Sequence, residues 1–588
     1  MDTKNPKYIK EKTEKQFAFR IKILVICFLI ALFVLIGRLV QLQVINAGFL
    51  KNKAEKMRTQ SHVHIYRGEI RDRNGIVLAT DTTLFDIYAH PQYYKKYENE
   101  HLPEVAQRLS QYLSIPPDEL YKKLSQYNLS TIALAKKVDK KVVEKVRKLK
   151  INGLDFSKRN ERIYPQGVLA SHILGYINSD SEITTGVEKS GGYLLNNVAN
   201  MPKIKIDGTG EVIYEKNTNV EMVTSPPVGG TITLTIDSKL QHLCEIELEK
   251  MILDRNAERG AVVMLKPNTG ELLAFAVYPK YDPNNFKNVD PQIIKNWAIT
   301  DVYPPGSTFK ILTVACGLES GAINEASTFN DTGQIQIQGW TITNYDYYKR
   351  GAPGNINLYY LLEHSSNVGA AKIALLIEPK RYRDLVRLFG IASKTGIDLP
   401  GESSGLMFPL EKWDQITRAT VAFGYSMAST PIQMASAVAA IANDGVWVTP
   451  HVIKYSNAVE SVKIKKRRVL RYDTAKIVTK LLKQSIINSK SVAGKVPGYF
   501  VAGKTGTSRK PNPHGAGYLT NSVFTSFAGY FPADKPEVLI MVVVDNPKGA
   551  EVWGSTVAGP VFNNIAIETA RYLNIKKDKP NEKEIKID

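Results

Sequence analysis

The pattern of apolar and polar positions changes most sharply near the amino terminus. Residues 23–37 carry no charge and are flanked by Lys22 and Arg38, and the apolar character continues to residue 45. Because flanking cations can extend to the membrane surface, we expect an uncleaved transmembrane anchor over residues 23–45, preceded by a cytoplasmic tail of residues 1–22. A cleaved signal peptide is disfavoured because no small-residue cleavage site follows the apolar run.

A second domain is predicted between the anchor and a linker rich in Pro and Gly at residues 225–230. Within it, an Asn74-Gly75 turn separates two extended runs, which predicts a β-hairpin. The chain therefore has an expected pedestal domain over residues 46–225. Neither the hairpin stretch at residues 67–79 nor the stretch at residues 162–176 pairs a nucleophile with a base, so we expect both to be structural parts of the pedestal.

The pattern after the linker predicts a mixed domain over residues 226–575. Asp237 should cap an amphipathic helix that follows a strand over residues 231–236. Further strands are expected over residues 260–265, 271–277, 525–531 and 538–544, and a closing helix over residues 557–573. These elements predict an α+β fold whose mainly antiparallel sheet is flanked by helices. Residues 576–588 are charged and are expected to be disordered.

Composition narrows the class of protein. The chain has 588 residues and 43% hydrophobic content, enough for several domains with their own cores. The net charge of +20 comes from lysines spread along the chain, so a solvated surface is favoured over a nucleic-acid site. Three cysteines in apolar or helical patterns favour free thiols, and nine histidines form no ligand-spaced cluster, so neither metal nor cofactor is expected.

The strongest chemical signal is an S-x-x-K motif formed by Ser307 and Lys310, which follows a Pro-Pro-Gly turn and precedes an apolar run. The pattern places Ser307 near the amino end of a buried helix, with Lys310 on the same face. A serine hydroxyl needs a neighbouring base to become a nucleophile. A lysine can act as that base when burial and a second cation lower its pKa, and Lys504 is the candidate second cation.

The K-T-G string that contains Lys504 occurs a second time, at Lys394. The copy at Lys394 is followed by a turn-forming run, whereas an apolar run leads into Lys504, which should lie at the end of a strand. We therefore expect Lys504 to be the functional copy and Lys394 a decoy.

Between these motifs lies an S-x-N motif at Ser365 and Asn367. The order S-x-x-K, S-x-N, K-T-G resembles the signature of the penicillin-binding-protein and serine β-lactamase superfamily. Two pedestal stretches, R-G-x-I-x-D-R-x-G-x-x-L-A from Arg67 and R-x-Y-P from Arg162, resemble class B penicillin-binding proteins. That resemblance spans residues 38 to about 573 and implies a β-rich, elongated pedestal of the dimerisation type below a transpeptidase domain.

The same resemblance implies roles for the motif residues. Ser307 would be the acyl-accepting nucleophile and Lys310 its base, with the amides of Ser307 and Thr507 holding the oxyanion. Ser365 and Lys504 would relay a proton to the leaving group. The remaining expected site residues are Asn367, which would hold the substrate backbone, and Thr505, Gly506 and Thr507, which with Lys504 would bind a terminal carboxylate.

The implied reaction is D,D-transpeptidation of peptidoglycan stem peptides that end in D-Ala-D-Ala, with β-lactams entering the same path. A β-lactamase is disfavoured by the pedestal, and a β-lactam sensor-receptor by the single expected span. A D,D-carboxypeptidase stays open, because water as acceptor leaves no mark in the sequence.

A role in septal synthesis is favoured over side-wall synthesis by stretches around residues 389–402 and 545–549. One departure from the division type is Gly424-Tyr425-Ser426, where G-x-G is usual. The resemblance further implies a bacterial cytoplasmic-membrane protein with an extracytoplasmic catalytic domain. Its partners would be a SEDS-type glycan polymerase and other divisome membrane proteins. Gln41 and Gln43, on a helix continuing past Arg38, are candidate contacts for such a partner.

Overall fold

The computed structural model describes residues 6–49, 67–96, 101–178, 183–196, 205–206, 212–213, 229–455, 464–515 and 517–579. Internal contacts divide the chain into two units. The first comprises Met1–Tyr66 with Val198–Val228, and the second comprises Arg67–Asn197 with Gly229–Asp588. Most of the expected disordered tail, from residue 580 onward, lies outside the described residues.

The first unit is dominated by the helix Pro6–Val40, which continues as a wider π-helical turn over Gln41–Ile45. Its segment Phe19–Ile45 is 27 residues long and contains an 18-residue stretch with a mean hydropathy of 3.0, so it is long and apolar enough to cross a membrane. This segment includes the whole of the predicted anchor over residues 23–45. The unit also holds the short antiparallel strands Lys205–Ile206 and Val212–Ile213.

The pedestal part of the second unit is organised around the long strand Val77–Ala89. This strand pairs antiparallel with Ile70–Arg71, Ile132–Asp139 and Leu154–Ile163. Gly75 adopts φ of 89° in the turn between the first two strands, so the predicted Asn-Gly hairpin is confirmed. Ile70–Arg71 also pairs in parallel with Ile232–Thr233, which joins the pedestal sheet to the chain that enters the catalytic region.

Helices account for much of the described pedestal, which the β-rich expectation missed. Four of them are Pro91–Lys96, Leu102–Leu113, Pro117–Leu124 and Lys140–Lys148. Their apolar faces share a core with the sheet, because Leu109, Leu120 and Leu124 are fully buried in one cluster with Ala89. Shorter elements follow at Ser171–Leu174, Ile177–Asn178, Ile183–Thr184, Gly186–Ser190 and Gly192–Leu195.

The two pedestal motifs meet in a buried ionic group that we call the pedestal cluster: Arg67, Asp81, Arg162 and Glu188. Glu188 is fully buried and binds both arginines, with Oε2 at 2.7 Å from Arg67 Nε and Oε1 at 2.7 Å from Arg162 Nε. Arg162 Nη1 also donates to Asp81 Oδ1 at 3.0 Å. The cluster pairs each buried cation with a carboxylate, as a structural role requires.

The catalytic part contains a five-stranded sheet in which every neighbouring pair is antiparallel. The strands lie in the order Leu272–Tyr278, Arg259–Leu265, Val538–Asp545, Tyr518–Phe531 and Ala502–Pro511. Both predicted hairpin partners and both late strands are confirmed. The last strand in this order, Ala502–Pro511, is the one that carries Lys504.

Helices cover both faces of this sheet, as the α+β prediction requires. One face packs against Ser238–Asp254 and Ala558–Tyr572. The other packs against a helical layer made of Lys310–Ser320, Leu358–Glu363, Asn367–Leu376, Pro379–Leu388, Gln415–Val421, Pro431–Ala442 and Tyr472–Asn488. The buried sheet residues alternate between the two cores, Val262 facing one and Val263 the other.

The remaining elements are short. Strands occur at Thr328–Asp331, Gln334–Ile337, Trp340–Thr343, Gly354–Asn357, Leu406–Met407, Met427–Ala428, Val446–Val448 and Lys466–Arg468. Short helical segments occur at Pro283–Asn288, Pro291–Ile294, Trp297–Thr300, Gly306–Phe309, Tyr347–Arg350 and Leu410–Lys412.

The entry into the catalytic part differs in detail from the prediction. Only Ile232–Thr233 of the expected strand over residues 231–236 is a strand, and Leu234 forms an isolated bridge to Ile453. The strand ends early because the chain passes from the pedestal sheet to contacts with the catalytic part. The predicted helix cap is confirmed, since the Asp237 carboxylate accepts from the amides of Lys239 and Leu240.

Candidate active site

Ser307 lies on a 3₁₀ turn, Gly306–Phe309, that leads directly into the buried helix Lys310–Ser320. The serine is thus just before the α-helix, and Lys310 is its first residue. A 3₁₀ turn has three residues, so side chains at positions i and i+3 lie one above the other. Lys310 Nζ accordingly lies 3.0 Å from Ser307 Oγ. This is within the reach of a base that takes the serine proton.

The Ser307 turn is held tightly between its neighbours. Gly306 adopts φ of 59°, and a Cβ on it would lie 2.9 Å from Ser508 Cβ. A Cβ on Gly424 would come within 2.4 Å of the Gly306 backbone. Ser508 Oγ donates to the Pro304 carbonyl at 2.6 Å, which ties the Lys504 strand to the turn. The turn and the strand are therefore packed backbone to backbone, leaving no room for larger residues.

The second motif closes around the same lysine. Ser365 adopts a left-handed φ of 56°, which turns both its oxygens towards Lys310. The Nζ atom lies 2.6 Å from the Ser365 carbonyl oxygen and 3.1 Å from Ser365 Oγ. Asn367 Oδ1 accepts from the same Nζ at 2.7 Å. Lys310 is thus surrounded by neutral oxygen atoms from both motifs.

The electrostatics of Lys310 favour the uncharged amine. Lys310 is fully buried, and burial followed by the nearby charge of Lys504 lowers its pKa well below the usual value, although Asp331 and Asp346 act in the opposite direction. Burial also lowers the pKa of Lys504, to about 8. The two lysines are therefore suited to different tasks at neutral pH, Lys310 as a proton acceptor and Lys504 as a cation.

Lys504 lies near the start of the strand Ala502–Pro511, whereas the sequence placed it at a strand end. The apolar residues before it pack as an irregular segment, and the strand begins only at Ala502. Side chains alternate along a strand, so Lys504 and Gly506 are buried while Thr505 and Thr507 are partly exposed. Thr507 Oγ1 accepts from the Gly554 amide at 3.0 Å.

Gly506 is packed tightly between the serine turn and the neighbouring strand Tyr518–Phe531. A Cβ there would lie 2.5 Å from Ser526 Oγ and 2.9 Å from Thr308 Cγ2. The K-T-G string therefore needs its glycine for packing, and the neighbouring threonines remain available to a ligand.

The second K-T-G copy has different surroundings. Lys394 is exposed on a loop, and Thr395 donates both its amide and its hydroxyl to Glu402 Oε1. Gly396 donates its amide to Glu402 Oε2 at 3.0 Å. The second K-T-G copy is therefore part of a turn that the Glu402 carboxylate stabilises by accepting these hydrogen bonds.

Two further features near the site concern Ser426, which departs from the usual sequence pattern, and a buried polar pair that sequence reasoning missed. Ser426, which replaces the usual glycine, adopts φ of 56°, and its hydroxyl accepts from Thr420 Oγ1 at 2.8 Å. The position keeps a conformation that glycine favours. Beneath the second motif, Asp331 and Asn344 form buried hydrogen bonds that sequence reasoning missed. They are single polar residues at strand ends, and no local pattern marks them.

Comparison with known proteins agrees with this geometry. Residues 260–566 match the penicillin binding protein transpeptidase domain, and residues 63–199 match the penicillin-binding protein dimerisation domain. The chain belongs to the class B penicillin-binding proteins, the transpeptidases in which these two domains occur together.

Individual relatives cover nearly the whole chain. The peptidoglycan D,D-transpeptidase FtsI of Escherichia coli K12 is 31% identical, covering 98% of this chain and 95% of the relative. Stage V sporulation protein D of Bacillus subtilis 168 is 30% identical, covering 87% of this chain and 79% of the relative. A solved peptidoglycan synthetase from Bifidobacterium adolescentis is 25% identical, with a TM-score of 0.65, covering 89% of this chain and 98% of that structure.

Proposed function

We propose that the protein is a peptidoglycan D,D-transpeptidase that works through an acyl-enzyme on Ser307. The observation that carries this proposal is the 3.0 Å approach of Lys310 Nζ to Ser307 Oγ, combined with burial that lowers the pKa of the lysine. A buried lysine close to a serine, with a second lysine nearby, is the arrangement that a serine nucleophile with a lysine base requires.

The proposed reaction begins with attack of Ser307 Oγ on the carbonyl carbon between two terminal D-alanines. Lys310 Nζ takes the hydroxyl proton, and the amides of Ser307 and Thr507 stabilise the oxyanion. The C–N bond then breaks, and the departing D-alanine receives its proton through Ser365 and Lys504. An amine from a second stem peptide attacks the ester, which forms the cross-link and frees Ser307.

Substrate binding is assigned to the groups that line the cleft. Lys504, with Thr505 and Thr507, would bind the terminal carboxylate, because a cation flanked by hydroxyl donors fits a carboxylate. Asn367 would contact the substrate backbone through its side chain amide. Gly506 keeps the strand close enough to the serine turn for these groups to act on one ligand.

Fluorescent penicillin tests the nucleophile. The wild type should become covalently labelled, and Ser307→Ala should not. The exposed serine Ser404 offers a matched control, so Ser404→Ala should label like the wild type. Undiminished labelling of Ser307→Ala would falsify the assignment.

Adding D-amino acid acceptors to a D-Ala-D-Ala pentapeptide assay separates the transpeptidase from the carboxypeptidase, because only a transpeptidase gives exchanged peptide as its main product.

We propose a septal role for this activity. The FtsI relatives support it, and the likeness to a sporulation protein shows that family membership does not fix the cellular site. Depletion in the native bacterium should give filaments if the enzyme serves division. Rounded cells would instead place it in side-wall synthesis.

We further propose that the protein is a single-pass protein of the cytoplasmic membrane with its catalytic domain outside. In this proposal the cytoplasmic tail is residues 1–22, the anchor 23–45, the pedestal 46–225, the transpeptidase domain 226–575 and the carboxy-terminal tail 576–588. Beyond Val40 the helix continues through Gln41–Ile45, and Arg38 Nη1 donates to Gln41 Oε1 at 2.8 Å. Polar side chains on a helix that leaves the membrane support contact with a membrane partner, which we assign to a SEDS-type glycan polymerase among divisome proteins.

An anchor exchange tests this partner. Replacing residues 23–45 with an unrelated span of equal length should leave penicillin labelling intact but fail to support growth of depleted cells. Full rescue by the exchanged protein would show that the segment is only a tether.

A further inference from the structure

A buried polar pair lies beneath the second motif. Asp331, at the end of the strand Thr328–Asp331, is fully buried, and Asn344, directly after the strand Trp340–Thr343, is 4% exposed. Polar side chains this deep are retained only where their hydrogen bonds are satisfied. The contacts of this pair therefore show what it supports.

Asn344 uses both ends of its side chain. Its Oδ1 accepts from the backbone amides of Asn367 at 2.8 Å and Val368 at 3.1 Å. Its Nδ2 donates to the Asp331 carboxylate, at 3.0 Å from Oδ1 and 2.9 Å from Oδ2. Asn344 thus fixes the start of the helix Asn367–Leu376 and is itself held by Asp331.

Asp331 is a buried carboxylate with neutral donors. Besides Asn344, it accepts from the Gly333 amide at 2.8 Å and from the Ser366 hydroxyl. Across the described ranges, no lysine, arginine or histidine forms an ion pair with it. Burying a carboxylate without a cation costs free energy, and capping a helix does not by itself require such a carboxylate. Ser366 in turn accepts from the Gly369 amide at 2.8 Å.

The pair leads directly to the proposed base. The backbone amide of Asn367 is held by Asn344, and the side-chain Oδ1 of Asn367 accepts a hydrogen bond from Lys310 Nζ at 2.7 Å. Its Nδ2 donates to the carbonyl of Thr343, the residue before Asn344, at 2.8 Å. Backbone and side chain of Asn367 are therefore both fixed by one strand end. Ser366, held by Asp331, follows Ser365, whose left-handed backbone aims both oxygens at Lys310.

We propose that Asn344, oriented by Asp331, is a positioning residue for acylation. It sets Asn367 and the Ser365 turn so that Lys310 Nζ stays within reach of Ser307 Oγ. This inference rests on the proposed Ser307 acyl-enzyme and adds two residues, remote in sequence from all three motifs, that determine its rate. Neither residue touches the reacting atoms.

An exchange of the two side chains tests the proposal. Asn344→Asp alone puts two carboxylates in contact and removes the amide donor, so the pair repels. The double variant Asp331→Asn with Asn344→Asp restores one amide and one carboxylate, with an acceptor still facing the amides of Asn367 and Val368. Asn355→Asp, an exposed position on the strand Gly354–Asn357, is the matched control.

Stopped-flow acylation by a fluorescent penicillin should separate binding affinity from the maximal acylation rate, with thermal midpoints measured in parallel. We expect Asn344→Asp to lower the maximal rate by about tenfold or more with little change in affinity, as small misplacements of catalytic groups do. The maximal acylation rate of the double variant should recover to within about threefold of the wild-type rate, and the rate of Asn355→Asp should equal that of the wild type.

Three results would overturn the proposal: a folded Asn344→Asp that acylates at the wild-type rate, a double variant no faster than Asn344→Asp, or a rate loss that only follows the loss of folded protein. Failure of the proposed function would be seen separately, as labelling of Ser307→Ala. Normal acylation by Asn344→Asp beside an unlabelled Ser307→Ala would remove only the positioning role.

Discussion

Two buried groups of charged side chains in the protein differ in how their cations are partnered. In the pedestal cluster, each arginine contacts a carboxylate, at 2.7 Å between Arg162 Nε and Glu188 Oε1. In the cleft, the hydrogen-bond partners of Lys310 Nζ among the described residues are all neutral oxygens, and a second cation, Lys504, lies near it. Both groups are largely buried, yet only the pedestal cluster is balanced in charge.

The pKa directions follow from that difference. Burial disfavours the charge on Arg162, but Glu188 and Asp81 outweigh it, so the pKa of Arg162 is raised. Burial and Lys504 together lower the pKa of Lys310. A buried cation with carboxylate partners keeps its charge and suits a structural role. A buried amine beside another cation favours its uncharged form and can therefore accept a proton.

The largest effect should come from replacing the base. Lys310→Arg keeps a positive charge but cannot release a proton at working pH, so acylation by penicillin should fall by about 10³-fold. Lys504→Arg should lose less, about tenfold, because the guanidinium still binds the carboxylate and only the proton relay through Lys504 is impaired. Acylation rates measured side by side decide the matter, and equal rates for the two variants would contradict this division of roles.

The pedestal cluster should respond in stability instead. Glu188→Gln leaves two buried arginines without their shared carboxylate, which should cost about 3–5 kcal/mol of unfolding free energy. Denaturant unfolding measures the loss, and the exposed pair partner Asp384 provides the control, since Asp384→Asn should change the midpoint little. Molecules that remain folded should still acylate at the wild-type rate. A stable Glu188→Gln with slow acylation would reverse the contrast between the two groups.

The smallest effect is expected at the second K-T-G copy. Lys394 is exposed and its loop is closed by Glu402, so Lys394→Ala should acylate within about twofold of the wild type. Lys504→Ala, at the buried copy, should acylate far more slowly. Comparable losses at both positions would show that the tripeptide acts independently of its burial.

The sequence predicted the α+β fold and the residues around Ser307 because these depend on local patterns. A Pro-Pro-Gly turn before an apolar run indicates a helix start, and short continuous apolar runs bounded by turn residues indicate the central strands. The pedestal helix Leu102–Leu113 was missed although its buried residues Leu102, Val105 and Leu109 recur at helical spacing. That signal was present in the sequence.

Other features depend on contacts between distant segments. Asp331 and Asn344 acquire meaning only when their strand ends meet the Asn367 helix, and neither carries a pattern of its own. The 3₁₀ form of the Ser307 turn depends on Gly306 packing against Ser508 and Gly424. Such tertiary packing cannot be derived from one sequence by periodicity.

The pH profile of acylation tests the central claim most directly, because it reports both lysines at once. The rate should fall as the pH drops through the lowered pKa of Lys310, since the protonated amine cannot accept the serine proton. It should also fall above pH of about 8, where Lys504 loses its charge. In Lys504→Arg, whose guanidinium stays charged, the basic limb should move to higher pH and the acidic limb should stay. A basic limb that does not move in this variant would contradict the account.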